Sequence, residues 1–375
     1  MADAPDRRVA RSPSRVDGVD AARGLALIGM FVAHVSPAAD VEFWDSVIAV
    51  ADERPRLLFA LTAGIGLGLL SGAMTPPASG ARRAELRRQI AIRGVLLIAL
   101  GLLVVALLRP LVFVILDVYG VAFLLMLPLM FLSARVALPL GIGLLAITPA
   151  LAELAARDRG LAELATQPTG ILVEWFLVGA YPVIIWVPVM LIGLGLARAG
   201  IEGRRTIASA SVVAIPVALL ALGLGRGLPD ADDIASAPDT TAWSIPLGTS
   251  LETLGNTAVG VVVVAATTAL LSFTGPAVRR YSHAILSPIT AMGAMPLTIY
   301  TLHLVVIANA KYVRDDGVVS DDSWPLLIGL VVGSAAFAWL WRRTIGRGPI
   351  ERFFRWASGR SRADGAAAGE SRRAT

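Results

Sequence analysis

Cysteine is absent from the 375 residues. That excludes disulfides, a thiolate nucleophile, zinc–thiolate clusters and iron–sulfur sites. Histidine occurs three times, as His34, His283 and His303, without clustering, so no histidine-built metal site is expected and the metal assignment is none. Lysine occurs once, as Lys311, and the other 32 basic residues are arginine. Charge is scarce: 16% of residues are Asp, Glu, Lys or Arg, against about 25% in soluble domains. A soluble globular fold is excluded on that ground.

What the chain has instead is apolar surface, 56% of its residues with a mean hydropathy of +0.71, gathered into long runs. Runs that can cross about 30 Å of hydrocarbon read as membrane helices. The expected fold is an all-α polytopic membrane protein of about ten transmembrane helices. The expected spans are 20–35, 57–71, 90–108, 111–132, 136–154, 171–197, 207–223, 254–273, 288–310 and 324–341. The third and fourth are joined only by Arg109-Pro110, where proline breaks the helix.

The loops between these spans carry an orientation signal. With both termini in the cytoplasm, 25 of the 33 Lys and Arg residues fall inside, while 18 of the 28 acidic residues fall outside. Basic bias in short loops sets membrane orientation. It also accounts for the net charge of +5 and pI near 10.2 without a nucleic-acid partner. Residues 1–18 form a polar cytoplasmic arm with no cleavage site after a short apolar core, so the first span is expected to be retained. Residues 19–356 read as one transmembrane domain, and 357–375, with no apolar periodicity, as a disordered cytoplasmic tail.

The first span holds "RGLALIGMFVAH". Eleven residues make about three turns and roughly 16 Å of rise, so Arg23 and His34 share one face, near the inner and outer ends respectively. Asp20 can pair with Arg23, and Gly24, Ala26, Gly29 and Ala33 suit close helix contact. Two readings stand for Arg23: an orientation charge that snorkels to headgroups, or a functional group. His34 is either an interfacial polar residue or a general acid–base. His303, with Tyr300 on its face, reads as a buried structural histidine or as a second ligand facing His34 across the bundle. His283 reads as a solvated cytoplasmic residue. Asp117, inside a span, requires a partner, with Arg109 and Arg56 as candidates. Trp175, Tyr181 and Trp186 read as an interfacial aromatic belt.

An arginine, ten residues and a histidine on the first helix resembles acyltransferase family three. "VDGVDAARGLALIGMFVAHV" and "RPRLLFALTAGIGLGLLSG" are similar to bacterial relatives of heparan-α-glucosaminide N-acetyltransferase. "GAYPVIIWVPVMLIGLGLAR", "GAMPLTIYTLHLVVI" and "WRRTIGRGPIERFFRW" resemble the YeiB-like family of the same superfamily. The resemblance implies an integral-membrane acyltransferase of the inner (plasma) membrane. It would move acetyl or another short acyl group from cytoplasmic acetyl-CoA or another acyl-CoA to an extracytoplasmic glycan or lipid-linked acceptor. On matching positions His34 is the catalytic base or acyl carrier and Arg23 its companion. Arg56 matches a basic position before the second helix, and Asp117, His303 and Tyr300 are candidate substrate ligands. Some members carry their histidine in the loop after the first helix; Ser36–Arg56 here holds none, so the base is His34 or lies elsewhere.

The residues alone leave a second class open. In a transporter or flippase, intramembrane Arg, Asp and His would line a substrate or proton path. No internal repeat is visible, and Met292 stands eleven before His303. A non-catalytic envelope scaffold is the third reading. The partners expected under the first are membrane lipids, acyl-CoA and a glycan or lipid acceptor, with a homodimer compatible with the sequence.

Overall fold

The computed structural model describes residues 15–37, 48, 51, 54–228, 241–314 and 316–360, with 241 and 242 described in backbone only. The N-terminal arm up to residue 14, most of the loop after the first helix, the acidic run at 230–233 and the tail from 361 lie outside the described residues.

The chain is a helical bundle. In order come α1 Asp17–Val35, α2 Arg54–Leu70, α3 Ala81–Leu108, α4 Leu116–Leu129 and α5 Ala134–Arg157. Next are the short α6 Arg159–Ala165 and an irregular helical stretch, α7, over Pro168–Val178. Then follow α8 Val183–Ala199, α9 Arg204–Gly225, α10 Thr241–Ser272, α11 Pro276–Ala294 and α12 Pro296–Asn309. A two-stranded ribbon, β1 Tyr312–Val313 against β2 Val319–Ser320, leads to α13 Trp324–Thr344 and α14 Pro349–Ala357.

Among the described residues six helices are long and apolar enough to cross a membrane, and eight spans result if each of two bent pairs is one. The remaining two expected spans fall on α2, 17 residues, and α4, 14 residues. Both are shorter than the ~20 residues of a full crossing, so the count of ten depends on how these two are treated.

Proline explains both bends. Between α7 and α8 the axis turns 45° at Gly179–Pro182, and between α11 and α12 it turns 82°. A residue before proline is driven out of the helical region; Met295, before Pro296, has φ −134° and ψ 55°. The expected span 288–310 is therefore two helices. The Arg109-Pro110 hairpin is also longer than expected: Arg109 ends α3 in the left-handed conformation, and α4 begins only at Leu116. At the eighth span the difference runs the other way, since α10 starts at Thr241, inside what the sequence reads as an outer loop.

Bundle packing relies on small residues. Helices in lipid associate by close backbone approach, with no gain from hiding apolar surface. A Cβ on Gly24 would collide with the Ile289 carbonyl, and one on Gly293 with that of Asp20, so α1 and α11 touch backbone to backbone. Gly64 and Gly193 do the same for α2 and α8, against Met190 and Leu61. The outer surface is apolar in turn: Leu107, Val212 and Leu219 are each more than 70% exposed, the face a bilayer would cover.

Arg198, in the last turn of α8, is a staple and not the orientation charge its place beside a basic loop suggests. It is buried and donates to the carbonyls of Gly68 (3.0 Å), Met130 (2.8 Å), Leu132 (3.3 Å) and Ala73, and to the Ser71 hydroxyl (2.6 Å). These groups lie at or just past the C-termini of α2 and α4, where carbonyls lack intrahelical donors.

Candidate active site

One face of α1 carries the site. Arg23 and His34 do lie along a single uninterrupted helix, and each meets a different half of the bent pair α11–α12. The Arg23 guanidinium donates to Asp20 Oδ1 (3.0 Å), to the Gly293 carbonyl at the end of α11 (3.1 Å) and to the Thr62 carbonyl of α2 (2.9 Å). Asp20 is buried and also faces Arg15 at 3.4 Å. Arg23 is therefore held by three helices and does not snorkel.

At the other end, His34 Nδ1 lies 3.2 Å from His303 Nε2. The ring planes are 15° apart and the centroids 5.4 Å apart. That separation matches the N···N distance plus the two ring radii, so the rings meet edge to edge with their nitrogens in line. One nitrogen must donate and the other accept. His303 is wholly buried, between Phe31 (centroids 5.0 Å) and Tyr300 (4.7 Å, edge to face), while His34 is half-buried. The hydrogen bond of His34 among the described residues is the one to His303, through Nδ1, and Nε2 makes none to them.

The polar patch continues from there. The Tyr300 hydroxyl accepts the Ile115 amide (3.2 Å) just before α4. Two residues on, Asp117 opens α4, and its Oδ2 accepts from the Trp175 indole of α7 at 3.1 Å. Neither Arg109 nor Arg56 is its partner, as the sequence suggested; the carboxylate sits in the first turn of α4, where a helix N-terminus favours negative charge. Asp117 Oδ1 is buried without a hydrogen bond. Arg56 lies over the Tyr181 ring (5.7 Å), and Tyr181 packs against Trp186, which packs against Tyr119.

Arg56, Glu153, Trp186, Thr249 and Thr253 line a cavity of about 170 Å³ between α2, α5, α8 and α10; neither histidine lines it. Trp186 Nε1 is buried there without a hydrogen bond. The aromatics read as an interfacial belt are thus, for Trp186 and Tyr181, packed inside the bundle. His283 is exposed, as expected, and its Nε2 lies 3.0 Å from the Leu271 carbonyl. No group of three or more His, Asp or Glu able to hold a metal occurs among the described residues.

The structure thus brings His34, His303 and Tyr300 into one cluster, with Asp117 beside it through Ile115. Arg56 stands across the aromatic group, and Arg23 at the opposite end of α1. Sequence reasoning missed Trp175 as the partner of Asp117, and it missed Glu351. From α14, Glu351 Oε1 accepts the amides of Leu297 (2.7 Å) and Thr298 (3.1 Å), and Oε2 accepts the Thr298 hydroxyl. It caps the helix that carries His303. The signal available in sequence was Glu351 on a short helix with an apolar and a basic face; its partner is 53 residues away.

An all-α, multi-pass membrane protein with a histidine pair between its first helix and a proline-broken helix near its end is the class these observations define. Residues 15–227 match the family described as heparan-alpha-glucosaminide N-acetyltransferase, catalytic, and the chain belongs to that family. Residues 196–361 match a second model, described as a protein of unknown function (DUF418). No curated protein matches the chain. The family membership carries a membrane acetyltransferase-like function.

Proposed function

We propose that the protein transfers an acetyl or short acyl group from cytoplasmic acetyl-CoA, or another acyl-CoA, to a glycan or lipid-linked acceptor on the far side of the plasma membrane. In this reading residues 19–356 form one catalytic domain of ten spans with both termini in the cytoplasm. His34 is the general base and Arg23 holds α1 at the height that the site requires. Tyr300 and Asp117 border the reacting groups, while Arg56 and the Trp186 indole offer polar contacts to an acceptor in the cavity beside them. The observation that carries the reading is the His34–His303 contact at 3.2 Å inside an apolar bundle. Polar groups within a membrane are expensive and mark function by default, and a neutral imidazole has a lone pair that can take up and return a proton.

The test uses inside-out membrane vesicles supplied with acetyl-labelled acetyl-CoA, with label followed into glycan, lipid and protein fractions. Label is expected in an acceptor with the intact protein and not with His34→Ala. Transfer unchanged by His34→Ala refutes the role of His34. Passage of an unmodified solute dependent on His34, with no label transferred, favours the transporter reading that the same intramembrane Arg, Asp and His allow.

A further inference from the structure

Resting on the acetyltransferase reading, the geometry points to His303 as a positioning residue that fixes the tautomer of His34 through a three-part relay, leaving His34 Nε2 as the free base. The sequence suggested His303 as a ligand of substrate. Its surroundings argue against direct contact, because the ring is wholly buried between Phe31 and Tyr300.

His303 Nδ1 is sealed from solvent and has no well-formed hydrogen bond. A helical side chain lies over the turn before it, so the backbone acceptors on this side of the ring are the carbonyls of Ile299 and Tyr300, four and three residues back on its own helix. A carbonyl can only accept. A bare lone pair on Nδ1 facing two carbonyl oxygens would be repelled, whereas a proton there is attracted by both. A neutral histidine carries one ring proton, so with Nδ1 protonated, Nε2 of His303 is a lone pair. Across the 3.2 Å contact that lone pair can only accept, so His34 Nδ1 donates to it. The tautomer of a histidine is set by the hydrogen bond its other nitrogen makes. His34, protonated on Nδ1, therefore presents an unprotonated Nε2, the nitrogen that bonds to none of the described residues and belongs to the half-buried ring.

The chemistry follows with all atoms accounted for. His34 Nε2 takes the proton from the acceptor hydroxyl or amine as its oxygen or nitrogen bonds to the thioester carbonyl carbon. The tetrahedral centre then collapses, the carbon–sulfur bond breaks, and the electron pair leaves on sulfur. The proton on His34 Nε2 passes to that thiolate, giving the free thiol of CoA and returning His34 to its starting tautomer. During the step the cationic His34 ring is held by the Nε2 lone pair of His303, whose own proton stays on Nδ1, on the side of the Ile299 and Tyr300 carbonyls. His303 touches neither substrate nor reacting atom.

The chain's three histidines make the relay observable. Nitrogen-15 histidine labelling of the detergent-solubilised protein, assigned with His34→Ala, should show wild-type His34 protonated on Nδ1 and bare on Nε2. His303→Phe keeps a ring of suitable size between Phe31 and Tyr300, so its thermal midpoint should match wild type. In it, His34 should populate both tautomers, and kcat should fall about 100-fold, the scale of general acid–base catalysis, with KM for acyl-CoA within twofold. His303→Gln, whose side-chain oxygen can accept near the Nε2 position, should recover at least tenfold of that loss. A wild-type His34 protonated on Nε2 overturns the relay, as does a kcat within threefold of wild type in His303→Phe, or no recovery in His303→Gln. A protein with the expected tautomer but no transfer to any acceptor leaves the relay standing and refutes the acetyltransferase reading alone.

Discussion

Replacing Arg23 separates an anchoring role from one in holding the donor. In Arg23→Ala three charge-assisted hydrogen bonds vanish, but they are not equal. The Thr62 carbonyl lies mid-helix and loses only a second partner at small cost, whereas the Gly293 carbonyl is in the last turn of α11, where it has no intrahelical donor. The larger loss is at Asp20, whose carboxylate stays buried with Arg15 as its remaining cation, at 3.4 Å from a half-exposed side chain. Removing one partner of a buried pair costs about 3–5 kcal/mol. Arg15 offsets part of this, so the lower end, ~3 kcal/mol, is expected. For a domain of this size that is a fall of roughly 5–10 °C in thermal midpoint, read by intrinsic tryptophan fluorescence in detergent. Asp20→Asn with Arg23→Met removes both charges and should recover most of the midpoint, because an apolar replacement of a buried pair is often neutral. Activity should return only in part, since the guanidinium bonds to protein groups alone but methionine cannot clamp α1 to the Gly293 and Thr62 carbonyls. An Arg23→Ala midpoint within 1 °C of wild type would refute the anchoring argument. A double variant as stable as wild type yet inactive would place Arg23 on the donor instead.

Two further changes test the supports around the site. Arg198→Ala strips charged donors from the carbonyls past α2 and α4, each such bond being worth about 1.5–3 kcal/mol; a loss of at least ~4 kcal/mol is expected, with Arg198→Lys recovering less than half, and unfolding within 1 kcal/mol of wild type would contradict it. Glu351→Ala uncaps α12, for which a cap is worth about 0.5–2 kcal/mol; hydrogen exchange at Leu297 and Thr298 should accelerate about tenfold while α1 is unchanged, and equal protection at those amides would sink the capping role.

The sequence made the helices legible because bilayer crossing imposes a length and a composition that a single strand of letters records. Charge at the loops and the small residues of α1 were legible for the same reason: each reports a local condition. Gly24 could be read as a contact site, though not that its contact is Ile289. What escaped was long-range pairing. Arg198 looked like one more basic loop residue because its acceptors are backbone carbonyls, which every sequence has everywhere. Asp117 was assigned an arginine because charge suggests charge, while its partner is a neutral indole from a segment whose bend at Gly179–Pro182 could not be foreseen in angle. The break at Met295–Pro296 was written in the proline, yet an apolar run on either side concealed it.

That break gives a physical sense to the spacing between Arg23 and His34. The two residues share one face of one unbroken helix, but they bond to opposite sides of an 82° turn, Arg23 to Gly293 just before it and His34 to His303 beyond it. Glu351 caps the first turn of α12 immediately after the turn, and Gly293 lets α1 approach immediately before it. The corner is thus fixed from both sides, and α1 is clamped to it by Arg23. With the corner fixed, the height and rotation of α1 decide where His34 meets α12. A single residue more or fewer between the pair would turn His34 by about 100° and shift it about 1.5 Å, away from His303 altogether. Eleven is the interval that returns the histidine to the arginine's face after three turns. The arginine is therefore the fixed end of a measuring rod whose other end is the proposed base, and on that proposal a guanidinium that contacts only protein has its place in the same signature as the histidine.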